Sequence, residues 1–162
     1  MGGTTRFLAG AVFAFAGGCV SVNAETIGLR CVGSLPGDVD AVQTITVDVA
    51  EKRVKVRQVN TASKSRAVEE EEYINGRSGS ALTSFRMEAI NGGDAAKIAT
   101  TEAKMRALMP QMKADQFVEI DEDQIAFGLE KDGKRALINI DRSTGEEHAA
   151  TIFRCGRNEK KF

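Results

Sequence analysis

A single histidine, His148, is the one side chain whose ordinary pKa places a charge change near neutrality. General acid-base catalysis would need a nucleophile or carboxylate beside it. Nothing in the sequence supplies that partner at a recognisable spacing, so His148, which follows Gly145-Glu146-Glu147, reads as an exposed strand residue. Gly76-Arg77-Ser78-Gly79-Ser80 approaches the Gly-x-Ser-x-Gly of a nucleophile elbow, but Ser80 occupies the last position and no parallel α/β pattern surrounds it. It reads as a loop. Asp121-Glu122-Asp123 could offer oxygens to a hard cation, yet calcium takes about six to eight ligands spread around a loop, and this tripeptide reads as a polar hairpin turn. One histidine and two cysteines expected to be oxidised leave too few ligands for zinc. Met105, Met109 and Met112 would suit Cu(I) by softness, but their spacing is that of one helix face, where methionine fills a core. No phosphate-binding glycine loop or haem-attachment motif is present. The sequence therefore assigns no catalytic, cofactor-binding or metal-binding residue and implies no cofactor.

Two other groups of residues carry information. Glu69, Glu70, Glu71 and Glu72 are four adjacent carboxylates running into Tyr73-Ile74. On a strand they put two charges on each face. The expectation is an edge strand solvated on both sides, where charge also discourages edge-to-edge pairing. With Asp121, Glu122 and Asp123, these residues are the candidates for docking a basic partner. The second group is the cysteines, and its meaning depends on the first two dozen residues. Arg6 is the only charge before Glu25, an apolar run spans 7–15, and Val22-Asn23-Ala24 ends the segment in small residues. That order defines a secretory signal peptide over 1–24, too short in its apolar part for a comfortable membrane span of about 20 residues. Cleavage after Ala24 removes Cys19; a lipoprotein cut before Cys19 fits less well, because Ala16-Gly17-Gly18 lacks the usual large aliphatic residue. Cys31 and Cys155 remain, and an even pair in an exported chain implies a disulfide. Closing a loop of well over a hundred residues is worth roughly 4–5 kcal/mol in the chain-entropy account.

The elements that must position these groups are mostly strands. Ile27, Leu29 and Cys31 share one face, as do Phe153 and Cys155, so both sulfurs can point to a common core. A turn cluster follows at 34–38. Ile45, Val47 and Val49 alternate with polar residues, and after Glu51-Lys52 so do Val54 and Val56, which describes a hairpin with one apolar and one charged face. Residues 60–67 read as a polar connection. A strand over 81–90 carries Phe85, Met87 and Ala89 on one side. From Asp94 the period changes: Ile98, Met105, Leu108, Met109 and Met112 fall at helical spacing, Asp94 can cap the first amides, and Pro110 should end or kink the helix. Strands resume at 117–120 and run through 124–155, with a tight Asp132-Gly133 turn between two of them. The pattern predicts a mostly β, antiparallel sandwich or small barrel of about eight or nine strands, with one helix (about 94–112) covering a face or end. A length of 162 residues fits one such domain over 25–162.

Cys31-Val32-Gly33, the turn Asp141-Arg142-Ser143-Thr144-Gly145, Phe153-Arg154-Cys155 and the closing Lys160-Lys161-Phe162 together resemble a loose group of small exported bacterial proteins. They share a signal peptide, an early Cys-x-Gly and an Asp/Asn-Arg-x-Thr-Gly turn before a final cysteine strand. The resemblance covers both ends of the mature chain and implies export. The group has no assigned activity, so it carries over no site residue. With a formal net charge of −1, the composition does not point to a nucleic-acid binder. The reading that follows is a non-enzymatic periplasmic or secreted domain that binds a protein or cell-envelope component, with no membrane span after signal removal. The alternatives are a carrier for a small apolar ligand and an inhibitor of a cationic cell-wall hydrolase acting through the acidic segments.

Overall fold

The structure, a computed structural model, describes residues 25–35, 39–109, 113–144, 146–148 and 152–157. The expected signal peptide with Cys19, the centre of the 34–38 turn, Pro110, Met112, Gly145 and the terminal Lys160-Lys161-Phe162 lie outside these residues.

Ten strands and one helix follow in the order β1 (Thr26–Leu35), β2 (Val39–Asp48), β3 (Arg53–Thr61), β4 (Ser65–Ile74), β5 (Leu82–Ala89), α1 (Ala95–Leu108), β6 (Asp115–Ile120), β7 (Gln124–Lys131), β8 (Lys134–Asp141), β9 (Glu146–His148) and β10 (Ile152–Arg157). The fold is mostly β and antiparallel with a single helix, as the alternation predicts. The strand beyond the expected nine is β9, whose three residues are too few to show a period. The expected 60–67 connection is shorter than its polarity suggests, because β3 runs to Thr61 and β4 starts at Ser65.

Hydrogen bonds order the strands β5-β4-β3-β2-β1-β10-β9-β8-β7-β6. Two meanders thus run outward from a central seam where the first strand pairs with the last. In that seam Cys31 lies directly opposite Cys155, and the two are joined by a disulfide across a sequence separation of 124. Turn chemistry fixes the neighbouring registers. Asp132 and Gly133 both take positive φ, 52° and 72°, in the two-residue turn that sets Lys131 opposite Lys134. At Gly128 a Cβ would lie 2.1 Å from the Ala136 carbonyl oxygen, so only glycine lets β7 and β8 approach this closely.

The two halves face each other as the layers of a sandwich. Leu29, Ile45, Val47, Val54, Val56 and Tyr73 from one meander pack with residues of the other, including Phe127, Ile140 and Phe153. The rings of Tyr73 and Phe127 meet edge to face at 5.1 Å between centroids. The ladder does not close into a barrel, since no strand pairing joins β5 to β6. Instead, the loop after β4 is bolted to β6. Gly76 N–H donates to the Gln116 carbonyl (3.0 Å) and Gln116 N–H to the Arg77 carbonyl (2.7 Å). The Gln116 side chain, only 2% exposed, accepts from Ile74 N–H (2.9 Å) and Arg77 Nε (3.1 Å) and donates to the Gly79 carbonyl (3.2 Å).

The helix lies at an end of the sheet, along the outer edge of β5. Asp94 caps it, accepting from Ala96 and Lys97 N–H at 3.0 and 3.1 Å. The apolar positions do not form a core-facing stripe, however: no α1 residue is buried and Leu108 is 50% exposed. Ile98, Glu102, Met105 and Met109 are half-buried, so the methionines shield the helix underside instead of filling the core. Its anchor is polar. Glu102 accepts from Met87 N–H (2.9 Å), Arg106 Nε reaches the Phe85 carbonyl (3.4 Å), and Glu102 and Arg106 pair at 2.5 Å. The pair satisfies a donor and an acceptor that a neighbouring strand would otherwise take, which blunts the edge.

Two outcomes check this architecture. Gln116→Leu is expected to cost ~2–4 kcal/mol in urea unfolding, because it orphans buried backbone and guanidinium donors at ~1–3 kcal/mol each; a loss below ~1 kcal/mol would mean that the bolt is not structural. Replacing Glu102 and Arg106 together by alanine is expected to bare β5 and increase self-association in sedimentation velocity. Unchanged sedimentation in a folded double variant would contradict the edge-cover role.

Candidate functional site

The four glutamates of β4 divide between the faces, as alternation requires, but β4 is not an edge. It lies between β3 and β5, and the expected solvated edge is corrected to an interior strand. The physical reason is that the two outward charges, Glu70 and Glu72, are matched from β3, so they need no edge to be tolerated. Glu70 lies opposite Arg57 and Glu72 opposite Lys55, each in an ion pair at 3.7 Å, and Arg77 adds a second partner for Glu72 at 3.1 Å. These outward pairs sit beside Thr44, Thr46 and Thr83 along a shallow surface groove. Exposed pairs of this kind contribute little stability, ~0–1 kcal/mol.

Glu69 and Glu71 face inward. Glu71 lies opposite Val56, a core residue, and accepts a hydrogen bond from the Tyr73 hydroxyl at 2.7 Å. Burial, then the charge and hydrogen bond of Glu71, push the Tyr73 hydroxyl well above its ordinary pKa, so it stays a donor. Glu69 lies opposite Gln58 on one side and Phe85 on the other. Desolvation raises its carboxyl pKa, and the charge of Glu71 adds to the rise.

The registers extend this into a row running in from the seam: Cys31, Gln43, Gln58, Glu69 and Phe85 are successive cross-strand partners on the inner face. Gln43 is only 4% exposed and donates from Nε2 to Gln58 Oε1 at 2.6 Å, while its own Oε1 has no hydrogen-bond partner. Asn60, two residues along β3 from Gln58 and opposite the buried Ala41, also holds a buried side-chain oxygen with no partner. These amides were not among the candidates read from sequence. The signal was present: Gln43 stands in phase with Ala41, Ile45 and Val47, and Gln58 in phase with Val54 and Val56. A polar residue on an apolar phase marks an inward polar group, but only the register shows that two such residues and a glutamate lie side by side.

The second acidic segment forms the turn between β6 and β7. Asp121 accepts from Gln124 and Asp123 N–H at 2.7 and 2.9 Å, and these bonds hold its carboxyl below the usual carboxylate range. Glu122 and Asp123 are exposed. Among the described residues no hydrogen bond or ion pair joins this turn to the glutamates of β4. The turn is tied to Arg142, which donates to the Asp121 carbonyl (2.6 Å), offers its backbone N–H to the Asp123 carbonyl (2.8 Å) and approaches Glu25 at 3.6 Å. Its neighbour Asp141 accepts from Ser143 N–H and Oγ and from Thr144 N–H at 2.6–2.9 Å, and the Ser143 hydroxyl leads the bonds that lower its pKa to about 2. The residues behind the Asp-Arg-x-Thr resemblance thus act as a structural clamp. They form the rim of a cavity of about 270 Å³ whose walls include Ile27, Leu29, Ile125 and Ile140.

The remaining candidates stay apart. His148 lies on β9, its backbone opposite Asn139 and Ile152, and β7 and β8 separate β9 from the strand that holds the Ser78 loop. Ser78 hydrogen-bonds Asp115 of β6, a docking contact. Among the described residues no group of three or more His, Cys, Asp or Glu side chains is placed to hold a metal ion. The chain matches no family model, no curated protein and no solved structure.

The inward carboxylate makes stability depend on pH with a known sign. The folded pKa of Glu69 lies above its unfolded value, so the folded state holds the proton more tightly and the ionised group opposes folding as pH rises through the folded pKa. Glu69→Gln is therefore expected to melt higher than the parent at pH 7, with the gap closing as pH falls toward 4.5. A lower melting temperature for the variant at pH 7 would contradict this placement.

Proposed function

We propose that the mature chain is a non-enzymatic binding domain of the periplasm or of the secreted fraction, and that its inner polar row holds part of a protein or cell-envelope component. The observation that carries this reading is the row itself. The buried Gln116 has partners for its side-chain oxygen and nitrogen, whereas Gln43 and Asn60, like Arg53 and Asn139 elsewhere, keep a buried side-chain atom without a partner, and these two share the inner face with Glu69 and Glu71. Leaving a buried acceptor unmade costs ~1–3 kcal/mol. A bound group that supplies donors removes that cost. Export is supported by the leader-like N-terminus and by the disulfide, which persists in oxidising compartments. No helix among the described residues is long and apolar enough to cross a membrane.

The apolar-carrier reading draws on the cavity beneath the Asp141 turn. At about 270 Å³ it falls below the ~300–1,000 Å³ of small-molecule sites, which leaves little room for a lipid tail. Inhibition of a cationic hydrolase through the acidic segments has less to work with, since Glu70, Glu72 and Asp121 are already engaged within the chain.

Mild crosslinking in the producing cell, followed by recovery of the tagged protein, is expected to give a discrete adduct that is depleted in Gln58→Leu and retained in Glu122→Gln. Recovery of only unpartnered monomer across growth conditions would count against a binding role.

A further inference from the structure

We infer that the inner polar row is a site for a primary ammonium group, either on a free amine or on a lysine side chain. This rests on the binding reading above and specifies its chemistry.

The row leaves several acceptors unmet. Gln43 Oε1 and Asn60 Oδ1 are buried oxygens without partners, and Glu69 brings a half-buried carboxylate with no hydrogen bond among the described residues. Glu71 adds a second carboxylate two positions along the same face of β4. The hydrogen bond from Gln43 to Gln58 fixes the Gln43 amide with its carbonyl unsatisfied, and Gln58 stands between Gln43 and Glu69 in the register. Two like charges and two orphaned carbonyls call for one compact group that is positive and rich in donors. An ammonium has three donors and no acceptor, so it can meet a carboxylate and both amide oxygens at once. A guanidinium is planar and forked, suited to bidentate pairing with a single carboxylate, and a neutral hydroxyl would leave the two charges uncompensated. No cation of the chain itself meets Glu69 or Glu71 among the described residues. Lys55 and Arg57, the cations of neighbouring β3, point to the opposite face and pair with Glu72 and Glu70.

Gln43 is the deepest member, whereas Gln58, Asn60, Glu69 and Glu71 are each only partly buried. A bound ammonium would carry its alkyl stem toward Phe85, the partner of Glu69 on β5.

The test uses the oxidised mature chain, labelled with ¹⁵N, and two amine probes: spermidine as the free amine and Nα-acetyl-lysine methylamide as the protein side chain. Nα-acetyl-leucine methylamide and the arginine analogue serve as controls. Saturable shifts of the Gln43 and Asn60 side-chain amide signals are expected with an ammonium probe and not with the leucine control. Affinity should fall at least ~tenfold in Glu69→Gln, the loss of one charge-assisted hydrogen bond, and stay within about twofold in Glu70→Gln, whose carboxylate faces outward. Asn60→Ala provides a second variant that changes no charge and should weaken binding as well. A response to both amines assigns the site to the ammonium as such, and a response to the lysine analogue alone assigns it to protein side chains. Equal weakening by Glu69→Gln and Glu70→Gln, a stronger response to the arginine analogue, or no response to either amine would overturn the inference. If the crosslinked adduct described above still forms in that last case, the domain binds a partner by other chemistry.

Discussion

The pairing of β1 with β10 is the constraint on which the other features depend. Each meander is built from short-range hairpins, but the seam between them joins residues 124 apart in sequence. Bringing such distant segments together costs chain entropy before any long-range contact repays it. The Cys31–Cys155 bond removes most of that cost from the folding balance, at roughly 4–5 kcal/mol in the chain-entropy account. Its position matters as much as its strength. The cysteines are register partners, so the bond fixes which residues of the two meanders face inward.

From that register the inner face follows strand by strand. Leu29 leads to Ile45 and Val56, and one row over, Cys31 leads to Gln43, Gln58 and Glu69. The first row is mostly core and the second mostly polar, although they are two residues apart. Gln116 shows how this fold treats a polar group whose task is structural. It is almost wholly buried, and its side-chain oxygen and nitrogen both have partners that hold β6 to the loop after β4. Gln43 is buried nearly as deeply and lacks one of its partners. Two buried glutamines in one sandwich thus differ, one with its side chain engaged and the other with an oxygen that has no partner. The two outer edges are handled with similar economy: a helix-borne Glu102–Arg106 pair covers β5, and a docked loop covers β6.

Much of this architecture was legible in the residues. Alternation placed the β2–β3 hairpin, Asp132-Gly133 announced its own turn, Asp94 marked the start of the helix, and the cysteine parity anticipated the disulfide. What stayed hidden depends on partners distant in sequence. The glutamate run suggested an edge because its compensating cations, Lys55 and Arg57, lie on another strand and become relevant only through register. The helix suggested an apolar stripe because a methionine that shields an edge has the same spacing as one that fills a core. β9 was too short to show any pattern. The candidate site needed three strands at once: Gln43, Gln58 and Glu69 are unremarkable singly and form a polar row only when aligned.

The seam is open to direct measurement. In the oxidised protein, a nuclear Overhauser spectrum should show a strong contact between the Cys31 and Cys155 α-protons, since their α-carbons lie 3.9 Å apart, the close approach of a non-hydrogen-bonded antiparallel pair. That contact, with flanking cross-peaks matching Val32 to Arg154 and Gly33 to Phe153, is the result this account predicts. Two alkylatable thiols with no contact between the strands, or a seam displaced by one residue, would contradict it and turn the polar row out of the interior.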